Sequence, residues 1–266
     1  MPDPKPLAGR HALVTGSIGG IGHAMAQALA EAGCSVMLSG LETPEEAEPA
    51  RARMAQATGV DVAYVSADLT RLSDIEALVA QAVASFGTVE ILINNAVVRH
   101  FAPIDVFPVD HWDRALAVNL SAAFHTTRLL LPIMRAAGFG RIFNMTSVYG
   151  SRATTNRVDY VTTKTALQGL TRATALETAD SPVTCHALCP GAVMTPASDV
   201  RVARIMTEQS IDRQEAESRF LKGKQPNGRF VDLRSVTDML LLLCGPAGYD
   251  MNGAILPIEG GWLAQG

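Results

Sequence analysis

The sequence predicts an α/β fold in which a parallel sheet of about seven strands carries helices on both faces. Short apolar runs such as HALVTG, CSVMLSG and VEILINNA alternate with longer amphipathic stretches along the whole chain. This alternation is typical of parallel sheets that are buried on both faces. The 266 residues, of which 48% are hydrophobic and 18% charged, are enough for one large core. Because no linker, repeat or low-complexity segment divides the chain, we expect residues 1–266 to form a single domain.

The predicted elements follow one another in a regular order. HALVTG predicts the first strand and Ile21 to Ala32 the first helix, and CSVMLSG, VDVAYVSAD and VEILINNA predict three more strands separated by helical sequence. Long helices are expected from about Asp110 to Ala136 and from about Asp159 to Thr178. GRIFNMTS predicts a strand between these two helices, and VTCHALCPG and AILPIEGG predict the last two strands.

One segment departs from this rhythm. Residues from about Thr195 to Phe220 are charged and helix-prone, and they follow a predicted strand. Loops beyond the carboxyl ends of strands cover the ligand crevice in open α/β sheets, so we expect residues 195–220 to form a helical lid. A solvated helical excursion is the alternative.

Composition argues against several classes of protein. The net charge of −4 disfavours a nucleic-acid partner. No apolar run reaches the length of a membrane-spanning helix and MPDPKPLAGR lacks the apolar core of a signal peptide, so we expect no membrane partner and a cytoplasmic location. The cysteines and histidines lack the spacing of metal ligands, so no metal site is predicted and the cysteines are expected to be buried reduced thiols.

A glycine-rich turn, VTGSIGGIG, joins the first strand to the first helix. Gly16, Gly20 and Gly22 let the backbone turn tightly and approach a pyrophosphate, and the helix N-terminus favours its negative charge. The spacing is G-x-x-x-G-x-G, and a tight turn without a ligand is the competing interpretation. The position of the turn favours a dinucleotide site.

The end of the second strand bears on which nicotinamide cofactor is used. A carboxylate there favours a free ribose 2′-hydroxyl and an arginine favours a 2′-phosphate. No Arg or Lys occurs from Cys34 to Ala50, and Ser17 stands in the glycine turn, so NAD is favoured over NADP. Glu42 either meets the ribose or is a solvated residue before a helix cap at Thr43. Asp68 either accepts a hydrogen bond from the adenine amino group or caps a helix.

The stretch TTNRVDYVTTKTA holds a candidate proton-transfer pair. Tyr160 and Lys164 are four residues apart, so on a helix they lie on the same face. A cation near a phenol favours the phenolate, and such a tyrosine can exchange a proton with an alcohol or a ketone. Ser147, 13 residues before Tyr160, offers a hydroxyl donor to the carbonyl oxygen. Thr146 can replace it only if its side chain faces the crevice.

Together these residues resemble the short-chain dehydrogenase/reductase family over essentially the whole chain. The matching stretches occur in the family's order: Thr15 to Gly22, the NNA of Asn94 to Ala96, Asn119, Ser147, Tyr160, Lys164, and the PGAVMT of Pro190 to Thr195. The resemblance implies a seven-stranded Rossmann fold, a homotetramer and an NAD-dependent oxidoreductase acting on CH–OH groups. The departure is Val97, where the family commonly has glycine.

The resemblance also implies roles. Tyr160 acts as the acid/base, Ser147 orients the substrate oxygen, and Asn119 supports a proton-relay water. Lys164 holds the nicotinamide ribose and favours the Tyr160 phenolate, and Thr195 contacts the carboxamide. The positions placed against the cofactor are Gly16, Ser17, Gly20, Ile21, Gly22, Leu41, Asp68, Leu69, Asn95, Ala96, Tyr160, Lys164, Pro190, Val193 and Thr195.

Further stretches resemble one branch, the bacterial D-3-hydroxybutyrate dehydrogenases: SGLETP, RHFAPIDVFP, LTRATALETA, KQPNGRFV and GGWLAQ. The match weakens in the branch's carboxylate pocket. Two glutamines of that pocket fall on Arg99 and Arg201, a histidine on Tyr149 and a lysine on Arg157, and a tryptophan falls on Ala192. With Ser147, the residues Arg99, Tyr149, Arg157 and Arg201 are therefore the predicted substrate contacts.

These replacements predict a roomier and more cationic pocket, because arginine binds carboxylate or sulfonate in bidentate fashion. We expect an anionic hydroxy or keto acid that is larger than 3-hydroxybutyrate or doubly anionic. Alternatively, Arg152, Arg157 and Arg201 are surface residues, and the chain is a true D-3-hydroxybutyrate dehydrogenase or a ketoreductase for another secondary alcohol. A non-catalytic NAD-sensing protein is a remote alternative, since the serine, tyrosine and lysine are all retained.

Overall fold

Seven parallel strands form one sheet in the computed structural model, which describes residues 5–265. The strands are β1 (His11–Thr15), β2 (Ser35–Gly40), β3 (Val62–Ser66), β4 (Ile91–Asn94), β5 (Gly140–Met145), β6 (Val183–Pro190) and β7 (Ile255–Ile258). Their order across the sheet is β3-β2-β1-β4-β5-β6-β7. The order reverses between β1 and β4, and in such sheets a ligand crevice opens at this point beyond the carboxyl ends of the strands. The predicted fold class is confirmed.

The helices predicted from the apolar periodicity are present, with one interruption, and α9 and α10 were not predicted. They are α1 (Gly20–Glu31), α2 (Pro44–Thr58), α3 (Leu72–Phe86), α4 (Val109–Leu116), α5 (Ala122–Ala136), α6 (Val158–Glu177), α7 (Pro196–Gln209), α8 (Arg213–Leu221), α9 (Leu233–Cys244) and α10 (Ala247–Asp250). The single helix expected from about Asp110 to Ala136 is split, because a π turn at Ala117–Ser121 separates α4 from α5. Turns of this kind often occur at functional sites.

Helices cover both faces of the sheet and bury two cores. On one face, Met25 and Leu29 of α1 pack with Leu240 of α9 against β1 and β2. On the other face, Leu78 of α3 and Leu130 of α5 pack against the same strands and β5. Complete burial of an aliphatic side chain contributes about 1.5–3 kcal/mol, so these layers hold the strand ends in fixed positions.

The segment after β6 forms a separate helical unit, α7 and α8. Val202 of α7 packs with Ala216, Phe220 and Leu221 of α8 in a small apolar cluster that belongs to neither face of the sheet. Thr195 begins α7 by accepting a hydrogen bond from the Ser198 N–H at 3.2 Å. The helical segment predicted at residues 195–220 is therefore present as a helix pair with its own core, and its role as a lid stays a prediction.

Three expectations from composition can be compared with the structure. All four cysteines are buried and free. None of the helices in residues 5–265 has the length and apolar character that crossing a membrane requires. The same residues contain no group of three or more His, Cys, Asp or Glu side chains arranged to hold a metal ion.

Candidate active site

The glycine turn packs tightly against the end of β4. Gly16 has a φ of 62°, and a Cβ there would lie 2.9 Å from the Ala96 Cα. A Cβ on Gly22 would overlap both the Gly16 carbonyl oxygen and the Asn95 side chain. Asn95 in turn donates to the Thr15 and Gly16 carbonyls at 3.0 and 2.8 Å. These close approaches explain why positions 16 and 22 leave no room for a side chain.

The N-terminus of α1 is free to bind an anion. The residue before its first turn is Gly19, which offers no side-chain cap, and the first turn holds no acidic residue. Its backbone N–H groups therefore point into the crevice, where the helix dipole favours a phosphate. The turn and the helix together fit the pyrophosphate of a dinucleotide.

Tyr160, Ser147 and Lys164 meet in one cavity of about 670 Å³ at the carboxyl end of the sheet. Tyr160 and Lys164 lie in the first two turns of α6, and the Lys164 ammonium is 5.6 Å from the centre of the Tyr160 ring. Ser147 follows β5, and its Oγ accepts a hydrogen bond from the Tyr149 N–H at 3.3 Å. The Ser147 hydroxyl proton is therefore free to be donated to a ligand.

Lys164 is held in a buried position beneath the cavity. Its Nζ donates to the Met145 carbonyl at 2.6 Å, and no carboxylate within residues 5–265 pairs with it. Burial, and after it the charge of Arg99, lowers the pKa of Lys164 to about 7. An ordinary lysine titrates near 10.4, so this ammonium can change its charge close to neutral pH.

Asn119 lies in the π turn and clamps the chain that follows β4. Its Oδ1 accepts from the Val98 N–H at 2.8 Å, and its Nδ2 donates to the Val98 carbonyl at 2.9 Å and to Thr163 Oγ1 at 3.2 Å. The side chain is thus fully engaged and does not line the cavity. Val97, next to this clamp, has no positive φ, so the backbone there does not require glycine.

Fifteen predicted site residues line the cavity: Gly16, Gly20, Ile21, Asn95, Ala96, Arg99, Ser147, Tyr149, Arg157, Tyr160, Lys164, Pro190, Val193, Thr195 and Arg201. Ala192, on which the branch's tryptophan falls, also faces it. Sequence positions that are up to about 185 residues apart therefore converge on one space, as expected when strand ends share one edge of a sheet. Their roles stay predictions.

Other predicted cofactor contacts lie outside the cavity. Ser17 is fully buried. Its Oγ accepts from the Ser39 N–H at 2.9 Å and can donate to the Ser39 carbonyl, so its hydroxyl is engaged within the protein. Leu41 is exposed beyond β2. The Asp68 carboxylate accepts from the Thr70 N–H and hydroxyl at 3.0 and 2.8 Å, which lowers its pKa. It is held in the turn before α3, whose N-cap is Arg71, so the helix-cap alternative is wrong. Three more predicted residues, Gly22, Leu69 and Asn119, also lie outside this lining.

The Thr146 hydroxyl does not compete with Ser147. It is hydrogen-bonded to the Leu188 carbonyl at 3.2 Å and lies 2.6 Å from the Cys189 sulfur, both on β6. The Arg152 guanidinium is engaged as well, because it donates to the Trp262 carbonyl at 2.8 Å. Arg152 therefore supports the C-terminal turn and is absent from the cavity lining.

The predicted arginines form a chain of cation–π contacts. The Arg157 guanidinium carbon lies 5.6 Å from the centre of the Tyr160 ring and 4.4 Å from that of Phe101. The Arg201 guanidinium lies 5.4 Å from the same Phe101 ring and 5.2 Å from that of Phe220. Burial lowers the pKa of Arg157 and of Arg201, and the neighbouring arginines lower both further.

Sequence reasoning missed one cation and several aromatic side chains. Lys224 lines the cavity, and its Nζ lies 3.9 Å from the centre of the Phe220 ring. Phe101 and Trp262 also line it, and Trp262 packs edge to face against Tyr149. Lys224 and Trp262 stand in KQPNGRFV and GGWLAQ, two stretches that carried the branch resemblance, and that was the only available signal.

Glu42 folds back over the end of β2. A Cβ on Gly40 would overlap the Glu42 Oε2 and would lie 3.4 Å from Ile18 of the glycine turn. The carboxylate therefore lies against the glycine turn, where a ribose that follows the pyrophosphate is bound in such folds. The Glu42 carbonyl accepts a hydrogen bond from the Tyr64 hydroxyl at 2.6 Å, which fixes the backbone at this point.

Comparison with known proteins agrees with this geometry. A family model described as short chain dehydrogenase matches residues 10–204. The D-beta-hydroxybutyrate dehydrogenase of Cupriavidus necator is 40% identical over 260 residues, covering 97% of this chain and 100% of that protein. The enzyme of the same name from Rhizobium meliloti is 36% identical, covering 96% and 98%. Both predicted resemblances, to the family and to the branch, are confirmed.

A solved structure shows the same fold. L-sorbose reductase from Gluconobacter frateurii, complexed with NADPH and L-sorbose, matches with a TM-score of 0.93 at 25% identity and covers 98% of each chain. The family match and the 40% identical relative, each spanning well over half of the chain, decide the assignment. The chain belongs to the short chain dehydrogenase family, whose members are oxidoreductases that use a nicotinamide cofactor.

Proposed function

We propose that the protein is an NAD-dependent oxidoreductase that interconverts a β-hydroxy acid and its β-keto acid. We further propose that this acid is larger than 3-hydroxybutyrate or carries two negative charges. The observation that carries the proposal is the charge of the cavity around Ser147 and Tyr160. Five basic side chains line it, and the described lining contains no Asp or Glu.

These cations have no anionic partner of their own. Within residues 5–265, Arg99, Arg157, Arg201 and Lys224 form no ion pair, and the three guanidinium groups make no hydrogen bond. Arg157, Arg201 and Lys224 are partly buried, whereas Arg99 is exposed. Holding the partly buried cations close together without anions is unfavourable, and a bound anion removes that cost. One carboxylate needs only one bidentate arginine, so the number of cations favours a larger or doubly anionic acid.

The proposed proton transfer uses groups whose positions the fold fixes. The Tyr160 phenol gives a proton to the substrate oxygen during reduction and takes it back during oxidation. The Ser147 hydroxyl, whose oxygen already accepts from a backbone N–H, donates to the same oxygen and orients it. The Lys164 ammonium favours the phenolate form of Tyr160. A bound nicotinamide supplies or accepts the hydride.

The glycine turn and the N-terminus of α1 fit that cofactor, and Glu42 favours NAD. The glycine turn and the uncapped N-terminus of α1 would hold the pyrophosphate. The Glu42 carboxylate against Gly40 would accept from a free ribose 2′-hydroxyl and repel a 2′-phosphate. The sorbose reductase structure contains NADPH, so the choice of cofactor is a property to test for this chain and not one to carry over.

The main alternative is an enzyme for 3-hydroxybutyrate itself, which the names of the 40% and 36% identical relatives favour. It predicts that the extra cations add nothing to substrate selection. A homotetramer, a cytoplasmic location and a lid function for α7 and α8 complete the proposal. The tetramer rests on family resemblance, the location on composition, and the lid on the position of α7 and α8 after β6.

The test is oxidation of NADH with a panel of β-keto acids that includes 3-oxobutyrate and 3-oxoglutarate. We expect turnover that Tyr160→Phe lowers by about 10²-fold or more, because the proton donor is lost. Tyr249→Phe is the matched control, since this exposed tyrosine lies outside the cavity lining. If Tyr160→Phe retained most of the turnover, the assigned chemistry would be wrong. NAD binding without turnover of any keto acid would favour the sensing alternative.

A further inference from the structure

Three cations of the cavity lie one after another in space, from Tyr160 to the helices α7 and α8. Arg157 lies beside Tyr160, and it shares the Phe101 ring with Arg201 of α7. Arg201 and Lys224 then share the Phe220 ring of α8, at 5.2 and 3.9 Å from its centre. The distance from the Arg201 guanidinium carbon to the Lys224 Nζ therefore cannot exceed the sum of those two distances. The far end of the cavity therefore holds its own pair of cations.

We propose that Arg201 and Lys224 form a second anion subsite, which binds the second carboxylate or sulfonate of the substrate at the lid end of the cavity. The inference rests on the proposed function and assigns the two acidic groups of a dianionic substrate to different cations. Arg157, next to Tyr160, binds one acid group. Arg201 and Lys224 bind the other.

Lys224 is placed for this task by its own contacts. Its Nζ donates to the Phe220 carbonyl at 2.5 Å, which orients the ammonium and leaves two N–H donors for a ligand. The same Nζ lies 3.9 Å from the centre of the Phe220 ring, so the charged end has little freedom to lose when a ligand binds. Both Arg201 and Lys224 are half-buried, and neither pairs with a carboxylate among residues 5–265.

The backbone that carries Lys224 is fixed by a buried neighbour. Gln225 accepts from the Ala192 N–H and donates to the Arg229 carbonyl. It is only 4% exposed and ties the turn after α8 to the loop after β6. Because Ala192 has a small side chain that also lines the cavity, the space between Ser147 and Lys224 stays open.

The electrostatics of the pair agree with an anion site. Burial, followed by the charges of Arg201 and Arg157, lowers the pKa of Lys224 to about 8. Burial and the charges of Arg99 and Arg204 lower the pKa of Arg201, and Tyr149 opposes them. A bound anion would reverse this repulsion and would be bound most strongly while Lys224 keeps its proton.

The test compares 3-hydroxyglutarate with 3-hydroxybutyrate, because the first acid carries a carboxymethyl group at the position where the second carries a methyl group. Lys224→Met is measured with NAD against both acids, with Lys222→Met, an exposed lysine outside the cavity, as the matched control. We expect kcat/KM for 3-hydroxyglutarate to fall at least about tenfold more than that for 3-hydroxybutyrate. Lys224→Arg should restore most of the loss.

Two outcomes separate the subsite from the proposed function. If both acids are turned over and Lys224→Met affects them equally, the subsite is overturned and the function stands. If wild type turns over neither acid, calorimetric binding of glutarate to the NAD-loaded protein tests the subsite alone. Loss of that binding in Lys224→Met, with retention in Lys222→Met, supports the subsite without the proposed reaction. Unchanged glutarate binding, or no binding to wild type, overturns it.

Discussion

Replacing Glu42 by glutamine is expected to weaken the preference for NAD over NADP. The carboxylate folds over Gly40 against the glycine turn, where it would accept from a ribose 2′-hydroxyl and face a 2′-phosphate. Glu42→Gln keeps the size of the side chain and removes its charge. The change therefore tests electrostatic selection without opening a cavity.

The size of the effect follows from Coulomb's law. Two unit charges about 4 Å apart interact by about 4 kcal/mol at the effective dielectric of a protein surface, which is an upper limit. Glu42 is only partly buried, so salt screens part of that repulsion. A loss of about 1.4–2.8 kcal/mol of discrimination corresponds to a 10- to 100-fold fall in the ratio of kcat/KM for NAD to that for NADP.

A second variant moves the carboxylate without removing it. Gly40 has no positive φ, so alanine suits its backbone, yet a Cβ there would displace the Glu42 Oε2. Gly40→Ala is therefore expected to lower the same ratio. Glu48→Gln, on the exposed face of α2, is the control that should leave the ratio unchanged. A ratio that shifts less than about twofold in both Glu42→Gln and Gly40→Ala would refute the assignment of cofactor choice to this carboxylate.

Arg157→Met is expected to raise the KM of mono- and dicarboxylic substrates alike by about tenfold or more, because Arg157, next to Tyr160, binds a carboxylate that both kinds of substrate carry. Steady-state kinetics test this, and Arg172→Met, at an exposed position of α6, is the control. Preference for 3-hydroxyglutarate should fall as pH rises through about 8, where Lys224 loses its proton, and a constant kcat/KM ratio of the two acids from about pH 7 to pH 9.5 would contradict this. Asn119→Ala should lower the free energy of unfolding by about 2–3 kcal/mol, since it leaves the Val98 N–H and carbonyl without their partner. A loss of unfolding free energy below about 0.5 kcal/mol in urea denaturation would be inconsistent with this role.

The sequence predicted those parts of the site that local spacing determines. Tyr160 and Lys164 share a helix face because they are four residues apart, and the glycine turn lies where a strand meets a helix. The parallel sheet followed from the alternation of apolar runs and amphipathic segments. Such features need only the chain's periodicity, so no knowledge of distant contacts was required.

Features that depend on competing hydrogen bonds could not be predicted in this way. The predicted cofactor contacts Ser17 and Asp68 find local partners in Ser39 and Thr70, which draw their side chains away from the cavity. The π turn around Asn119 interrupts a stretch whose apolar pattern indicated one continuous helix. The pattern of apolar residues does not reveal which hydrogen-bond partner a polar side chain takes or where a helix changes its register.

Features that depend on long-range folding were equally hidden. Lys224 lies 60 residues after Lys164 and shares no motif with it, so only the turn fixed by Gln225 brings it to the cavity. The sequence also left open whether Arg152, Arg157 and Arg201 are surface residues. The structure separates them, because Arg152 is engaged with the Trp262 carbonyl while Arg157 and Arg201 face the cavity.

The central claim is that an NAD-dependent enzyme uses an unusually cationic cavity to select a doubly anionic β-hydroxy acid. The most direct measurement is the wild-type kcat/KM for 3-hydroxyglutarate and for 3-hydroxybutyrate, with NAD as the oxidant. Because the second carboxylate gains at least one charge-assisted contact, we predict a preference for 3-hydroxyglutarate of about tenfold or more. A clear preference for 3-hydroxybutyrate would contradict the claim.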